Sequence, residues 1–143
     1  MRRIAIGSLW ALLLAAVAAC SPGASGPSIS QDELMKALRN PKTAPVILDV
    51  RSHDEFEGGH IPGALNVPHN EVGDWLRNQN LTRDKDVVVY CESGGRSATA
   101  QQVLINAGFA SVRHLEGDMK AWRAKGLPCD GCVDADEDDE EEE

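Results

Sequence analysis

The reactive residue of this sequence is a cysteine between an apolar run and a pair of glycines. Cys91 follows the run at 86–90 and precedes Gly94 and Gly95. Glycines let several backbone N–H groups turn toward one point, and a helix starting there adds its positive end. Both features stabilise a thiolate, and Arg96 adds a fixed charge with donors suited to an oxyanion. The pattern predicts a nucleophilic cysteine that attacks sulfur or phosphorus. The alternative is a buried, inert cysteine, which would not need the Gly-Gly-Arg-Ser that follows it.

Strand and helix patterns alternate through the middle of the chain. Continuous apolar runs, typical of strands buried on both faces, occupy 46–50 and 86–90, with shorter strand candidates at 64–67 and 111–115. Helical patterns begin at the capping box of Ser30 and Glu33, near Val72, after the glycine loop, and at 118–125. This order predicts an α/β domain with a parallel sheet covered on both faces. Functional groups then lie at the carboxyl ends of the strands, which indicates the segment 49–51 and Cys91.

Several motifs in the same order resemble the single-domain rhodanese family of thiosulfate sulfurtransferases. They are Leu-Asp-Val-Arg at 48–51, Glu-Phe at 55–56, Gly-His-Ile-Pro-Gly-Ala-Leu-Asn-Val-Pro at 59–68, Val-Tyr-Cys-Glu-Ser-Gly-Gly-Arg-Ser at 89–97 and Leu-Glu-Gly-Asp-Met at 115–119. The resemblance covers about residues 28–128 and implies a rhodanese-like, five-stranded parallel sheet with helices on both faces. It also implies a Cys91 persulfide that takes a sulfane sulfur from thiosulfate or a persulfide and passes it to a thiol or cyanide.

The resemblance also assigns roles around Cys91. The substrate-binding residues would be Glu92, Ser93, Gly94, Gly95, Arg96 and Ser97, with Arg96 on the sulfonate end of thiosulfate. Related phosphatases have a loop one residue longer, Cys-x5-Arg, whereas this chain has Cys-x4-Arg, a ring better suited to sulfur than to phosphate. Structural support is expected from Asp49, Arg51 and Glu55, with Arg51 paired to Glu55 or to a neighbouring acid.

Three classes of function remain open at this stage. The first is a thiosulfate sulfurtransferase, the second a rhodanese-like sulfur carrier or docking module without catalysis, and the third a cysteine-based phosphatase or arsenate reductase, which the loop length disfavours. The sequence contains no nucleotide-binding glycine motif, and its four histidines do not have metal-ligand spacing, so no cofactor or metal is expected. Most of the net charge of −9 comes from the chain end, so the middle is nearly neutral and unsuited to nucleic acid.

The first nineteen residues read as a secretion signal. Arg2 and Arg3 precede an apolar stretch that closes with Val-Ala-Ala-Cys at 17–20, which resembles the lipobox of bacterial lipoproteins. That resemblance implies a signal peptide at 1–19, an acylated Cys20, and a periplasm-facing lipid anchor; Ser21 favours the outer membrane. Residues 20–27 would be a flexible tether. Ordinary cleavage and an uncleaved membrane anchor are the alternatives.

The chain end combines a cysteine pair with an acidic tail. Cys129 and Cys132 have Cys-x-x-Cys spacing, and nine of the ten residues at 134–143 are acidic. The tail is expected to be disordered because it repels itself and has little apolar surface to bury. For the cysteine pair we favour a disulfide. A redox pair acting on the Cys91 persulfide and a soft-metal site remain alternatives.

Overall fold

A computed structural model of the protein describes residues 26–132. The elements, in chain order, are β1 (Ser28–Ile29), α1 (Gln31–Leu38), β2 (Val46–Asp49), α2 (His53–Glu57), β3 (Leu65–Asn66), α3 (Val72–Asn78), β4 (Asp86–Tyr90), α4 (Gly95–Asn106), β5 (Ser111–Leu115) and α5 (Asp118–Ala124). The predicted signal peptide, Cys20, most of the tether and the acidic tail lie outside the described residues.

The five strands form one parallel sheet in the order β1-β5-β4-β2-β3. This confirms the predicted α/β fold with a five-stranded parallel sheet. β4 is central, and its last residue Tyr90 lies opposite Asp49 of β2. The ends of these two strands, and whatever follows them, therefore meet at one edge of the sheet.

Helices cover the sheet on both faces and divide the core into two layers. Val87 and Val89 of β4 pack on one face with α3 and α4, through side chains that include Leu76 and Leu104. Val88 and Tyr90 pack on the other face with α1 and α5, where Trp122 is the largest buried side chain. Because both faces of β4 are buried, its sequence is continuously apolar rather than alternating.

Two elements were not predicted from the sequence. β1 has only two residues and is defined by its pairing with β5, so it has no local pattern of its own. α2 is a five-residue helix without a buried residue, which removes the periodic apolar signal. It nevertheless begins with a capping box between Ser52 and Glu55, a signal that was available in the sequence.

The contacts of the domain extend past the expected limits of 28 and 128. The carbonyl of Pro27 accepts hydrogen bonds from the backbone N–H of His114 and from the side chain of Gln101. At the other end, Asp130 exchanges two backbone hydrogen bonds with His60, both 2.9 Å long. The cysteine pair is therefore attached to the folded domain. Within the described range, no helix is long and apolar enough to cross a bilayer.

Candidate active site

Cys91 lies directly after β4, at the carboxyl edge of the sheet, and is only 1% exposed. Its Sγ accepts a hydrogen bond from the backbone N–H of Gly94 at 3.1 Å. Gly94 has φ of 107°, a backbone conformation that glycine adopts without strain, and it caps the start of α4. The loop therefore folds back over the sulfur, and the positive end of α4 begins beside it.

The start of α5 holds this loop from the opposite side. The backbone N–H groups of Met119 and Lys120 donate to the carbonyls of Cys91 and Glu92, at 3.0 and 3.2 Å. These bonds satisfy donors that a helix leaves free in its first turn. The backbone of the reactive loop is thus fixed by two helices, α4 behind it and α5 beside it.

Two residues that the sequence analysis missed lie beside Cys91: His114 at the end of β5 and Asp118 at the start of α5. Asp118 Oδ1 accepts the backbone N–H of Cys91 at 2.7 Å, and its Oδ2 lies 2.8 Å from His114 Nε2. Both follow the rule that the carboxyl ends of neighbouring strands share one edge. Applied to β5 as well as to β2 and β4, that rule would have found them.

Ser97 connects this pair to the sulfur. Its Oγ lies 3.4 Å from Cys91 Sγ, 2.9 Å from Asp118 Oδ1 and 3.0 Å from His114 Nε2. The side chain of Ser97 is fully buried, so it supports Cys91 from below and does not line an open substrate surface. Burial opposes ionisation of Asp118, but the hydrogen bonds from His114, Cys91 and Ser97 outweigh it and lower the pKa of this carboxyl.

Arg96, which the sequence analysis placed on the sulfonate of thiosulfate, is engaged by an acid. Its guanidinium makes two hydrogen bonds to the Glu55 carboxylate, at 2.6 and 2.8 Å. Glu55 raises the pKa of Arg96 above its usual value; burial opposes this, and the nearby Cys91 sulfur adds to it. The charge of Arg96 is thus shared between Glu55 and the site.

Arg51 pairs with the neighbouring acid Asp49 and not with Glu55, since Glu55 is taken by Arg96. Both groups are buried, and the closest N–O distance between them is 2.5 Å. Arg51 also donates to the carbonyl of Gly59 at 2.7 Å and lies 3.7 Å from the Glu92 carboxylate. Although burial favours the neutral form, Asp49 raises the pKa of Arg51. The pair thus connects the end of β2 to the turn after α2 and to the loop that follows β4.

The other loop residues occupy different positions around the opening. The carboxylate of Glu92 pairs with Arg123 of α5 and faces Arg51, so it closes the side of the loop. Ser93 and Gly95 are exposed and lie at the outer border of the opening. A substrate would therefore meet the backbone of the loop first, with Arg96 to one side.

Cys129 and Cys132 form a disulfide that packs on the other face of the sheet from the Cys91 side chain. A Cβ on Gly59 would lie 2.5 Å from Cys132 Sγ, so the disulfide sits directly against the turn that binds Arg51. The pair thus closes the chain end over this turn. Cys91 is the one free cysteine within residues 26–132.

These contacts place the buried sulfur of Cys91 under a loop whose Gly94 N–H donates to it. The Gly94 N–H and the start of α4 favour a sulfur anion, and the fixed backbone keeps them aimed at it. Such a site suits attack by sulfur on a small electrophile that reaches it through the loop.

Comparisons with known proteins identify the family of this fold. The family model for the rhodanese-like domain matches residues 30–125. A chloroplastic thiosulfate sulfurtransferase 16 of Arabidopsis thaliana is 38% identical over 91 residues, covering 57% of this chain and 76% of that protein. The solution structure of the rhodanese-like domain of Anabaena sp. Alr3790 superposes with a TM-score of 0.69 at 29% identity, covering 82% of this chain and 89% of that one.

The chain therefore belongs to the rhodanese-like domain family. Homologues named thiosulfate sulfurtransferase support a sulfurtransferase-type enzyme. The domain also occurs in other settings: the chain spans about half the length of a curated relative, the HTH-type transcriptional regulator Rv0324 of Mycobacterium tuberculosis, at 36% identity over 119 residues covering 82% of this chain.

Proposed function

We propose that this protein is a sulfurtransferase that carries sulfur as a persulfide on Cys91, with thiosulfate or a persulfide as donor. The observation that carries the proposal is the position of Cys91 Sγ, buried under a six-residue loop and bonded to the N–H of Gly94. The loop has four residues between Cys91 and Arg96, one fewer than in the related phosphatases, and a shorter loop suits a single added sulfur better than a phosphate.

The reaction has two steps, each a displacement at sulfur. In the first, the Cys91 thiolate attacks the outer sulfur of thiosulfate, the S–S bond breaks, and sulfite leaves with the bonding pair. In the second, a thiolate or cyanide attacks that sulfur, and Cys91 leaves as the thiolate. A persulfide donor reacts in the same way and releases its own thiolate. The N–H groups of the loop stabilise the anionic outer sulfur between the steps.

The pairing of Arg96 bears on the choice of donor. The two terminal nitrogens of the Arg96 guanidinium already donate to Glu55. The sulfonate of thiosulfate must therefore share Arg96 with a carboxylate. A persulfide has no sulfonate group, so it needs no share of the Arg96 charge. This favours a persulfide as the natural donor, with thiosulfate as a weaker assay substrate.

Mass spectrometry of the purified domain tests the proposal. After incubation with thiosulfate, Cys91 is expected to gain one sulfur atom, and cyanide is expected to remove it as thiocyanate. Cys91→Ser should abolish both, because a hydroxyl does not carry a sulfane sulfur. Transfer that survives in Cys91→Ser would reject the mechanism.

The same assay separates the alternatives. A sulfur carrier or docking module would show no turnover from thiosulfate to cyanide, and a phosphatase or arsenate reductase would act on an oxyanion without gaining sulfur. The intact Cys91 and Arg96, and the loop with four residues between them, support transfer of sulfur over both.

We also propose that the protein works at the bacterial cell envelope, anchored by a lipid on Cys20 and facing the periplasm, with the outer membrane favoured by Ser21. The support is the sequence Val-Ala-Ala-Cys at 17–20 after a basic start and an apolar stretch. Cys20→Ala should move the protein from the membrane fraction to the soluble fraction. A wild-type protein that is already soluble after cell disruption would reject the anchor.

A further inference from the structure

A buried carboxylate lies close beneath the nucleophile, and the proposed reaction does not use it. The side chain of Asp118 is 3% exposed, and both of its oxygens are hydrogen-bonded. Oδ1 holds the backbone N–H of Cys91 at 2.7 Å and the hydroxyl of Ser97 at 2.9 Å, and Oδ2 faces His114. The negative charge therefore lies one side chain away from the sulfur.

Alone, that charge opposes the reaction. A negative group within about 4–6 Å of a titrating site disfavours a second negative charge there, and burial strengthens the effect. The Ser97 hydroxyl, which touches both Cys91 Sγ and Asp118 Oδ1, is the group that lies between the two. Arg96 also interacts with the Cys91 sulfur, but Glu55 shares its charge. A positive charge at Asp118 would therefore add to the stabilisation of a thiolate or a persulfide anion on Cys91.

His114 is placed to supply that charge. A carboxylate only accepts hydrogen bonds, so His114 Nε2, 2.8 Å from Oδ2, carries a hydrogen and donates it. The second proton of an imidazolium then belongs on Nδ1, at the other side of the ring. The side chain of His114 is 16% exposed, so the ring is partly open to solvent.

Among the groups around the His114 ring, Asp118 is the carboxylate whose charge a proton on His114 would balance. From α4 the ring meets Ser97, and from the loop after β4 it meets Gly94, where a Cβ would lie 3.6 Å from its Cε1. On the neighbouring β1, Ser28 turns its hydroxyl to Glu116. The carboxylate of Glu92 is paired with Arg123 and faces Arg51.

We propose that His114 and Asp118 form a charge switch for Cys91. With His114 protonated, the pair is neutral and Cys91 holds a thiolate or persulfide anion. With His114 neutral, Asp118 keeps its hydrogen bonds, but its negative charge is no longer balanced and opposes that anion. This rests on the proposed function, in which Cys91 must be anionic in both steps. Both are positioning residues, since neither touches the transferred sulfur.

The geometry separates this from a proton relay. If His114 Nε2 received the Cys91 proton through Ser97, it would first have to be unprotonated. Two acceptors, Nε2 and Asp118 Oδ2, would then face each other at 2.8 Å. The contact therefore favours a charge effect. If the effect is one of charge, removing the Asp118 carboxylate should restore the Cys91 alkylation profile that is changed by removing His114.

The experiment measures the rate of Cys91 alkylation by iodoacetamide from pH 5 to 10, read by mass spectrometry, in wild type, His114→Gln, Asp118→Asn and the double variant. His114→Gln should raise the pH midpoint of alkylation by about one unit or more, with equal rates at the alkaline end. Adding Asp118→Asn should return the midpoint to the wild-type value or below it. Asparagine keeps an oxygen for the Cys91 N–H and tolerates the φ of 53° at this position.

His53→Gln is the matched control, because His53 is an exposed histidine on α2 whose partner is Glu57. Its alkylation profile should equal that of wild type. If His114→Gln lowers the alkylation rate by the same factor at every pH, His114 has a purely structural role and the proposal is overturned. A double variant that keeps the raised midpoint would also overturn the proposal. If His114→Gln does not fold, the single variant Asp118→Asn provides the test, and a midpoint above the wild-type value would overturn the proposal.

Alkylation reports the charge of the thiol and needs no sulfur donor. A normal switch in a protein that forms no persulfide would reject the proposed function and leave this inference standing. Persulfide formation together with a His114→Gln alkylation profile equal to that of wild type would reject this inference and leave the proposed function standing.

Discussion

The guanidinium of Arg96 is held by the carboxylate of Glu55 through two hydrogen bonds, 2.6 and 2.8 Å long, between residues 41 positions apart. The pair joins the reactive loop to α2 and places a guanidinium beside Cys91 whose positive charge is largely balanced by Glu55. It is about one third exposed on each side, so it is screened by solvent and can be exchanged for an anionic substrate. The anion affinity of the site therefore depends on Glu55 as much as on Arg96.

Glu55→Gln should make the enzyme better at binding thiosulfate. Removing the competing carboxylate frees the Arg96 charge, so the KM for thiosulfate should fall about two- to fivefold, the range of an exposed ion pair. Arg96→Ala should raise it about tenfold, the lower end for a charge-assisted hydrogen bond. Glu57→Gln, on the same helix and paired with His53, is the control and should leave KM unchanged. Steady-state kinetics checks all three, and an unchanged KM in Glu55→Gln would show that the sulfonate does not use Arg96.

The same pair predicts how stability responds to acid. The hydrogen bonds from Arg96 and Ser52 lower the pKa of Glu55 from 4.5 to about 2. A depressed pKa contributes stability that is present above pH 4.5 and is lost as the pH falls toward 2. The melting temperature of Glu55→Gln should therefore fall less steeply than that of wild type between pH 4.5 and 2. Parallel curves for the two proteins would show that the pair adds no stability.

The buried Arg51–Asp49 pair predicts a large effect from a single substitution. Arg51→Met leaves the Asp49 carboxylate buried without its partner, which should cost about 3–5 kcal/mol of unfolding free energy. Adding Asp49→Asn should recover part of this loss by removing the charge. Arg77→Ala, which breaks an exposed pair with Asp74, is the control and should be nearly neutral. Urea unfolding measures each, and a small effect of Arg51→Met would mean that water reaches Asp49.

The disulfide at the chain end is predicted to be structural. Cys129 and Cys132 pack on the opposite face of the sheet from Cys91, so direct sulfur exchange with the persulfide is disfavoured. The double variant Cys129→Ser, Cys132→Ser should keep transfer from thiosulfate to cyanide and to a dithiol within about twofold. The ring closes only a short loop, so the stability lost should be about 2 kcal/mol or less. A selective loss of transfer to the dithiol would instead establish a redox role.

The local patterns that were predicted correctly are those whose cause lies within a few residues. β4 occurs at 86–90, where the apolar run Val-Val-Val-Tyr predicts it, and β5 occupies the predicted segment 111–115. The capping box of Ser30 and Glu33 starts α1 as expected. The position of Cys91 at a strand end followed from the same reasoning.

The partners of the charged residues were harder to predict. Arg51 and Arg96 both had several acids within reach along the chain, and sequence spacing did not choose among them. The choice was made by burial: Asp49 and Arg51 leave water together at the sheet edge, while Glu55 faces outward from α2 toward Arg96. His114 and Asp118 lie 23 and 27 residues beyond Cys91 and reach it only because β5 pairs with β4.

The sequence by itself therefore determined the alternation of strands and helices and the position of Cys91 between a strand and a glycine loop, since these depend on apolar periodicity and backbone conformation. Only the tertiary structure decided which charges surround that cysteine. Electrostatic partners are selected by distance and burial in three dimensions, and the parallel pairing of β2, β4 and β5 brings Asp49, Cys91 and Asp118 to one edge from segments that are remote in the chain.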